Sequence, residues 1–241
     1  MALMKLLGSV IRFWLPVFAM VFVMKSFAIA SNHIPSESMV PTLEVGDRIF
    51  VSKWAYGYSR HSLLVDPGVS LPGKDGRVFE QVPQRGDVVT FTHPHSGETM
   101  IKRVIGLPGD RIALQNGRLI INGSVVPRIE QGHYSYRQYQ GGVVEVTRYE
   151  EMLPDGRAHP IIERSDHDYA DNMAEVTVPA GHLFMMGDNR DNSADSRFQD
   201  MGFVPVENLQ GRADMIGWSL YSCEQKPGLK CGDRRFLEMI E

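Results

Sequence analysis

Two Asn-Gly dipeptides constrain the fold of this chain more than any other feature. Both fall in "RIALQNGRLIINGSVVP" (111–127), where Asn116-Gly117 and Asn122-Gly123 separate short apolar runs. The two central residues of a type I′ hairpin turn need positive φ, which Asn and Gly tolerate better than other residues. The stretch is therefore predicted to be a β-meander of antiparallel strands.

Short β-branched and aromatic runs recur along most of the chain after residue 46. The 23 glycines and 14 prolines lie mostly between these runs, a pattern typical of strands and turns. Two stretches, 58–85 and 128–175, are less regular, and we interpret them as excursions from one β-core. The further predicted strands lie in "DRIFVSKWAY", "GDVVTFTH", "MIKRVIGL", "GGVVEVTRY", "AEVTVP" and "HLFMMGD".

Length and charge limit the classes of function. With 241 residues the chain can form one good-sized domain or two small ones, with an ample core. Its formal net charge of −4 gives no basic field of the kind that attracts nucleic acid. No nucleic-acid partner is therefore expected.

The amino-terminal segment differs from the rest. Residues 13–24 are uncharged and mostly large and apolar, between Arg12 and Lys25. Extended to Ala30, the segment would form a helix of roughly 27 Å, close to a hydrocarbon thickness of about 30 Å. A membrane anchor over 13–30 is one interpretation, and a signal peptide cleaved after "SFAIA" is the other. Either way, the remainder of the chain is predicted to be exported.

The only two cysteines, Cys223 and Cys231, lie near the carboxyl end in "CEQKPGLKC". A disulfide closing this loop would suit an oxidising compartment, whereas two unpaired surface thiols are the alternative. A metal site would need further ligands, and none lie nearby in the sequence.

Two motifs resemble ligand-binding loops but lack required residues. "GVSLPGKD" (68–75) spaces glycine and lysine like a phosphate loop, yet Asp75 stands where Ser or Thr is needed. "DNSADSRFQDMG" (191–202) alternates oxygen-bearing residues like a calcium loop, but Ser196 and Gly202 replace its turn glycine and its bidentate glutamate. No metal ion or organic cofactor is therefore predicted.

Three stretches make chemical sense together: "IPSESMVPTLEVGD" (34–47), "MIKRVIGLPGD" (100–110) and "GDNRDNSADSR" (187–197). A serine hydroxyl is a poor nucleophile until a base takes its proton, and lysine is a base only when neutral. Lys102 lies in an apolar strand, and desolvation there would lower its pKa. A strand-edge lysine that points to solvent is the structural alternative for this stretch taken alone.

The three stretches resemble bacterial type I signal peptidase over residues 34–53, 86–110 and 182–220. In that family the first serine of the Pro-Ser-x-Ser-Met motif helps form the oxyanion hole and the second is the nucleophile. These serines match Ser36 and Ser38, with the Ser38 backbone N–H as the other oxyanion donor. The family's general base, the lysine of a Lys-Arg-Val stretch, matches Lys102.

The resemblance also assigns roles in the third stretch. The serine that orients the lysine matches Ser193, and the residues that support the site match Asp188, Asp195 and Arg197. One position departs from the family pattern, since Glu37 stands between the serines where glycine is usual. A side chain there must point away from the substrate, and it adds a negative charge near the site.

The resemblance implies a membrane-bound serine endopeptidase that removes signal peptides from exported preproteins. It implies an uncleaved single-pass anchor in the bacterial inner membrane, a cytoplasmic amino terminus and a catalytic domain on the outer face. Its partners would be preproteins, the lipid bilayer and the export machinery, with no cofactor. The implied fold is mainly β, an antiparallel barrel-like domain with an inserted β subdomain. The domains are 1–12 (tail), 13–30 (anchor), 31–112 with 179–241 (catalytic) and 113–178 (insertion).

The substrate is expected to pair as an extended strand near 32–35 and 99–102, so that alternate side chains enter the enzyme. Shallow uncharged pockets would accept small residues, and the resemblance points to Ala-x-Ala. The apolar residues around the proposed dyad, which we expect to contribute to these pockets, are Ile34, Pro35, Met39, Leu43, Met100 and Ile101.

Three alternatives remain open from the sequence. The first is a related Ser-Lys peptidase dedicated to one secretion or conjugation substrate. The second is a non-catalytic membrane-tethered β-module that binds export partners. The third is a substrate-like exported protein whose leader is cleaved.

Overall fold

A computed structural model describes residues 2–138, 141–220 and 235–240, with side chains from residue 12 onward. The fold is mainly β, as predicted. One α-helix, α1, spans Ala2–Val23, and a π-helical turn follows at Met24–Ala28. The strands are β1 Ile29–His33, β2 Asp47–Ser52, β3 Val88–Thr92, β4 Thr99–Gly106, β5 Arg111–Gln115, β6 Arg118–Ile121, β7 Ser124–Val125, β8 Arg128–Arg137, β9 Val143–Met152, β10 Ala158–Glu163, β11 Met173–Thr177, β12 His182–Met186, β13 Val204–Pro205, β14 Leu209–Ser219 and β15 Phe236–Met239.

The largest sheet carries the segments predicted to form the site. Its strands run in the order β1-β2-β14-β3-β4-β12-β13, with β15 also paired to β14, and every pairing is antiparallel. Successive side chains of a strand face opposite sides of a sheet. Accordingly, Val88 packs in one buried apolar cluster and Val89 in another. The main sheet therefore has a hydrophobic core on each face.

Strands β5 to β11 form two further sheets, with strand orders β11-β5-β6-β7 and β10-β9-β8. The hairpin turns predicted from the Asn-Gly dipeptides are confirmed. Asn116 and Gly117 have φ of 49° and 69°, and Asn122 and Gly123 have φ of 53° and 79°. Local turn chemistry alone was sufficient to predict this meander.

The prediction of one helix over 13–30 is wrong at its carboxyl end. The α-helix ends at Val23, and Ile29–His33 is an edge strand that pairs with β2 from Ile29↔Ser52 to His33↔Arg48. Pairing with β2 satisfies these backbone groups outside a helix, which the apolar composition could not reveal. Within the described part of the chain, no helix combines the length and apolarity needed to cross a membrane.

Both stretches interpreted as irregular contain ordered structure. Residues 128–137 form the ten-residue strand β8, and 158–163 form β10 despite Pro160. In the 58–85 stretch, the buried Arg77 guanidinium donates to five backbone carbonyls, and burial lowers its pKa to about 10. Three of these bonds connect the 58–85 stretch to residues 206–209, where β14 begins. The predicted Cys223–Cys231 disulfide lies outside the described residues.

Candidate active site

The proposed nucleophile lies in a short 3₁₀ turn, Glu37–Met39, that follows the edge strand β1. Met39 fixes the turn because its side chain is fully buried in the core beneath the sheet. Ser38 is 8% exposed. Ser36 is exposed in extended conformation just before the turn, and its Oγ lies 3.4 Å from Ser38 Oγ. The two hydroxyls are therefore neighbours at one surface.

Lys102 reaches the nucleophile from strand β4. Its side chain is only 2% exposed, and its Nζ donates to Ser38 Oγ over 2.7 Å. The solvent-facing alternative for this lysine is therefore excluded. Burial disfavours the charged ammonium and lowers the pKa of Lys102 to about 8, although the carboxylates of Asp195 and Asp188 oppose part of the shift.

Asp188, predicted to support the site, forms a buried ion pair with the residue after Lys102. Arg103 Nε and Nη2 donate to its two carboxylate oxygens over 2.9 and 2.8 Å, and Thr42 Oγ1 donates over 2.5 Å. Burial would raise the pKa of Asp188, but Arg103 outweighs it and the net shift is downward. The pair connects β4 directly to the 187–197 loop.

A second buried pair lies inside this loop. Arg197 donates to both carboxylate oxygens of Asp195 over 2.8 and 2.9 Å, and the Gly187 N–H donates to the same carboxylate over 3.0 Å. Arg197 thereby overcomes the effect of burial and keeps the pKa of Asp195 below its usual range. Asp195 is therefore an ionised group close to Lys102, and Arg197 partly neutralises its charge.

Ser193, predicted to orient the lysine, is buried in the same loop as Asp195. Among the described residues its Oγ makes no hydrogen bond to Lys102, and it lies near the Asp195 carboxylate, whose pKa it helps to lower. Gly187 lies between Ser38 and Ser193. A methyl group at Gly187 would overlap Ser193 and come within 2.5 Å of the Ser38 carbonyl oxygen. A glycine is needed there for the loop to approach the nucleophile.

Two strand edges next to the dyad have no second strand partner among the described residues. In that part of the chain, β1 pairs with β2 alone and ends the main sheet. On β4, β12 pairs only from Arg103 to Gly106, so Thr99–Lys102 is bonded to β3 alone within the described residues. Both edges lie where the substrate was predicted to pair.

The six apolar residues predicted near the substrate differ in accessibility. Ile34, Met39 and Leu43 are buried in the core, at 2% exposure or less. Pro35 is exposed, and Met100 and Ile101 are half-buried. Only the last three present appreciable surface, and the lining of the pockets by all six stays a prediction.

Three residues that sequence reasoning did not assign contact the site: Thr42, Arg103 and Asn189. Arg103 and Thr42 hold Asp188, and Asn189 bonds to the backbone of the nucleophile turn. All three lie within the matched stretches, but only the folded chain shows their partners.

The geometry of Ser38 and Lys102 is suited to acyl transfer. A buried lysine whose pKa is near 8 lies in hydrogen-bond contact with a serine hydroxyl, which is the arrangement an activated nucleophile needs. In the part of the chain that the structure describes, no three His, Cys, Asp or Glu side chains are grouped to hold a metal ion.

Residues 7–218 match the model of the family described as signal peptidase, peptidase S26. The chain belongs to this family. It is 38% identical over 198 residues to signal peptidase I of Rickettsia bellii, covering 79% of this chain and 66% of that relative. It is 40% identical over 216 residues to signal peptidase I of Pseudomonas aeruginosa, covering 85% of this chain and 70% of that relative.

The match to the Rickettsia bellii member of the S26 family spans slightly less than two thirds of its length. Among solved structures, a signal peptidase I from Enterococcus faecalis V583 matches with a TM-score of 0.33 and 26% identity. That match covers 55% of this chain and 97% of the other.

Proposed function

We propose that the protein is a serine endopeptidase that removes amino-terminal signal peptides from exported preproteins, with Ser38 and Lys102 as its catalytic dyad. The observation that carries the proposal is the 2.7 Å contact between the buried Lys102 amine and the Ser38 hydroxyl. Membership of the S26 family supports the same reaction.

In the proposed mechanism, neutral Lys102 takes the proton of Ser38 Oγ as the oxygen attacks the scissile carbonyl carbon. The carbonyl oxygen becomes an oxyanion that accepts from the Ser38 N–H and the Ser36 hydroxyl. Protonated Lys102 then gives its proton to the leaving amine as the C–N bond breaks. Water, deprotonated by Lys102, releases the acyl group from Ser38 and restores the enzyme.

The two buried ion pairs support this cycle electrostatically. An unpaired carboxylate beside Lys102 would favour the ammonium form and raise the pKa of the base. Arg103 and Arg197 partly neutralise Asp188 and Asp195, so burial remains the largest influence on that pKa. We further propose that Ser193 orients Lys102 during the reaction.

The proposed substrate is an extended peptide that pairs with the two free strand edges by β-augmentation. Residues at alternate positions, the one before the cut and the one two earlier, then point towards the enzyme. Small uncharged residues at these positions would fit, as in Ala-x-Ala. The relatives named signal peptidase I support signal-peptide-bearing preproteins as the substrate class.

We propose that α1 associates with the inner membrane through its apolar surface and that the β-domain lies on the outer face. Large apolar side chains along the helix are exposed, among them Phe13, Phe18 and Met20, each at 65%. A bilayer would cover this surface, which water solvates poorly.

The test is to incubate the detergent-solubilised protein with a labelled preprotein and to map the cut by mass spectrometry. Wild type should cleave once, after a small residue, and Ser38→Ala should not cleave although it stays folded. Circular dichroism and thermal denaturation would verify the fold of the variant. Equal turnover by a folded Ser38→Ala protein would refute the assignment of the nucleophile.

A further inference from the structure

One residue of the 187–197 loop holds two consecutive carbonyls of the nucleophile turn. The Asn189 backbone N–H donates to Ser38 O over 3.1 Å, and its side-chain Nδ2 donates to Glu37 O over 3.2 Å. Because a carbonyl oxygen can only accept, the amide nitrogen must be the side-chain atom that faces it. Asn189 is 2% exposed, so water does not compete for these bonds.

The bond to Glu37 O bears on the proposed oxyanion hole. The peptide between Glu37 and Ser38 is planar and trans, so its C=O and N–H point in opposite directions in one plane. A donor that fixes the Glu37 carbonyl therefore fixes the direction of the Ser38 N–H. That N–H is the backbone donor assigned to the oxyanion.

A second donor to the Glu37 carbonyl comes from the end of the turn itself. The Val40 N–H also donates to Glu37 O over 3.0 Å, but Val40 directly follows the turn and moves with it. Asn189 belongs to a different element, next to Asp188, which Arg103 of β4 holds. The same two-residue segment therefore fixes the nucleophile turn relative to the strand that carries the base.

The second hydrogen of Asn189 Nδ2 is donated to a residue of the three-stranded sheet β8–β10, which is called the inserted sheet below. It is donated to the Tyr136 hydroxyl over 3.0 Å, and the Tyr136 ring is buried against Val40 and Ile162. The Ile162 N–H donates to Asp188 O over 2.9 Å, which holds the neighbouring residue from the same sheet. Both side-chain hydrogens of Asn189 are thus used, and its amide plane is fixed from two sides.

We infer that Asn189 is a positioning residue that aims the Ser38 N–H at the oxyanion, and that Tyr136 of the inserted sheet holds Asn189 in that orientation. The inference rests on the proposed function. It gives the three-stranded sheet β8–β10 a part in the reaction, although none of its residues is assigned to the dyad.

The inference predicts a specific kinetic pattern. An oxyanion forms only in the transition state, so misdirecting its donor should lower kcat and leave KM nearly unchanged. Asn189 makes no hydrogen bond to Lys102 in the described structure, so the apparent pKa of the base should stay that of wild type.

The first experiment compares Asn189→Ala with Asn208→Ala in the full-length protein. Asn208 is buried and also donates from Nδ2 to a backbone carbonyl, that of Thr92, outside the 187–197 loop. Loss of one oxyanion donor costs about 10²–10³ in rate, so a misdirected donor should cost about ten- to a hundredfold in kcat. Asn208→Ala should keep kcat within about twofold, as expected for a site outside the reaction.

A second pair of substitutions removes only a hydroxyl group, so the variants are less prone to misfold. Tyr136→Phe keeps the buried ring and removes only the hydroxyl that accepts from Asn189. Tyr56→Phe is its control, because the Tyr56 hydroxyl is also buried and donates to Asp87 over 2.7 Å. Tyr136→Phe should lower kcat about three- to tenfold, in line with one net hydrogen bond, while Tyr56→Phe should lower only the thermal midpoint.

A third measurement reports on the oxyanion itself. A peptide ester and the matching thionoester differ only in the atom that becomes negative, and sulfur accepts hydrogen bonds weakly. Wild type should prefer the ester. In folded Asn189→Ala, this preference in kcat/KM should shrink, as it should in Ser36→Ala, and the pH profile should not shift.

Three outcomes separate the inference about Asn189 from the proposed peptidase function. If wild type cleaves the preprotein and folded Asn189→Ala matches Asn208→Ala in kcat, the inference is wrong and the proposed function stands. If Asn189→Ala loses activity with an unchanged ester preference or a shifted pH profile, the residue acts elsewhere and the inference is wrong. If wild type itself does not cleave, the proposed function fails, and the inference fails with it.

Discussion

At the scale of single residues, the pKa of Lys102 should decide the pH range of the proposed reaction. The pKa is lowered to about 8 chiefly by burial, so the neutral base becomes the major form above that pH. We expect kcat/KM to rise with pH through an apparent pKa near 8 and then to level off. Lys102→Arg should be inactive at every pH, since a guanidinium does not lose its proton. Normal turnover by Lys102→Arg would show that another group is the base.

The lowered pKa of Lys102 also means that this residue reduces the free energy of unfolding. Below pH 8 Lys102 is protonated in both the folded and the unfolded chain, and the full penalty of burying the charge is present. Between about 8 and 10.5 the unfolded chain binds more protons, so the free energy of unfolding rises with pH.

Replacing Lys102 with methionine removes this penalty. Lys102→Met should therefore be more stable than wild type at pH 7, by roughly 3 kcal/mol, the free energy equivalent of the pKa shift. The advantage should shrink as the pH rises towards 10.5. Urea denaturation at pH 7, 9 and 10.5 would measure it, and an advantage that does not change with pH would contradict the burial argument.

At the scale of elements, the Arg103–Asp188 pair holds the 187–197 loop on β4. Both side chains are 1% exposed, so removing one leaves the other charged and buried. Asp188→Ala should lower the free energy of unfolding by about 3–5 kcal/mol. The control is Glu175→Ala, which breaks the exposed Arg111–Glu175 pair and should cost less than about 1 kcal/mol. Similar losses in the two variants would contradict a supporting role for Asp188.

The free edges of β1 and β4 make a prediction about the substrate. Because a paired strand directs alternate side chains to one side, the residue before the cut and the one two earlier should be restricted. Lysine or tryptophan at either position should lower kcat/KM by orders of magnitude, whereas the residue between them should tolerate most substitutions. A peptide series varied singly at the three positions tests this. A strict requirement at the middle position would rule out the strand-pairing model.

At the scale of the whole molecule, the boundary between α1 and the β-domain can be tested by truncation. A chain that begins at residue 25 keeps β1 and two contacts beside it, from Tyr58 to Phe27 O and from Lys53 to Ser26 O. It should be released from membranes and still cleave a soluble peptide. A chain that begins at residue 34 lacks β1, exposes the edge of β2 and should lose stability and activity. Membrane fractionation and thermal denaturation separate these outcomes.

The sequence determined the features that depend on neighbouring residues or on long motifs. The hairpins at Asn116 and Asn122 follow from the need for positive φ, which is a local property. The membership of the S26 family follows from three motifs that remain recognisable without any contact between them. The mainly β fold follows from short apolar runs between turn residues.

Only the tertiary structure decided which segments pair and which side chains meet. β14 joins β2 and β3 at the centre of the main sheet, although its glycines weaken the strand pattern; Gly211 is needed because the Ser52 carbonyl would lie 2.6 Å from a Cβ there. The helix ends at Val23 because Ile29–His33 finds a partner strand. Asn189 meets Glu37 across 152 residues of chain, and no local pattern encodes a hydrogen bond of that separation.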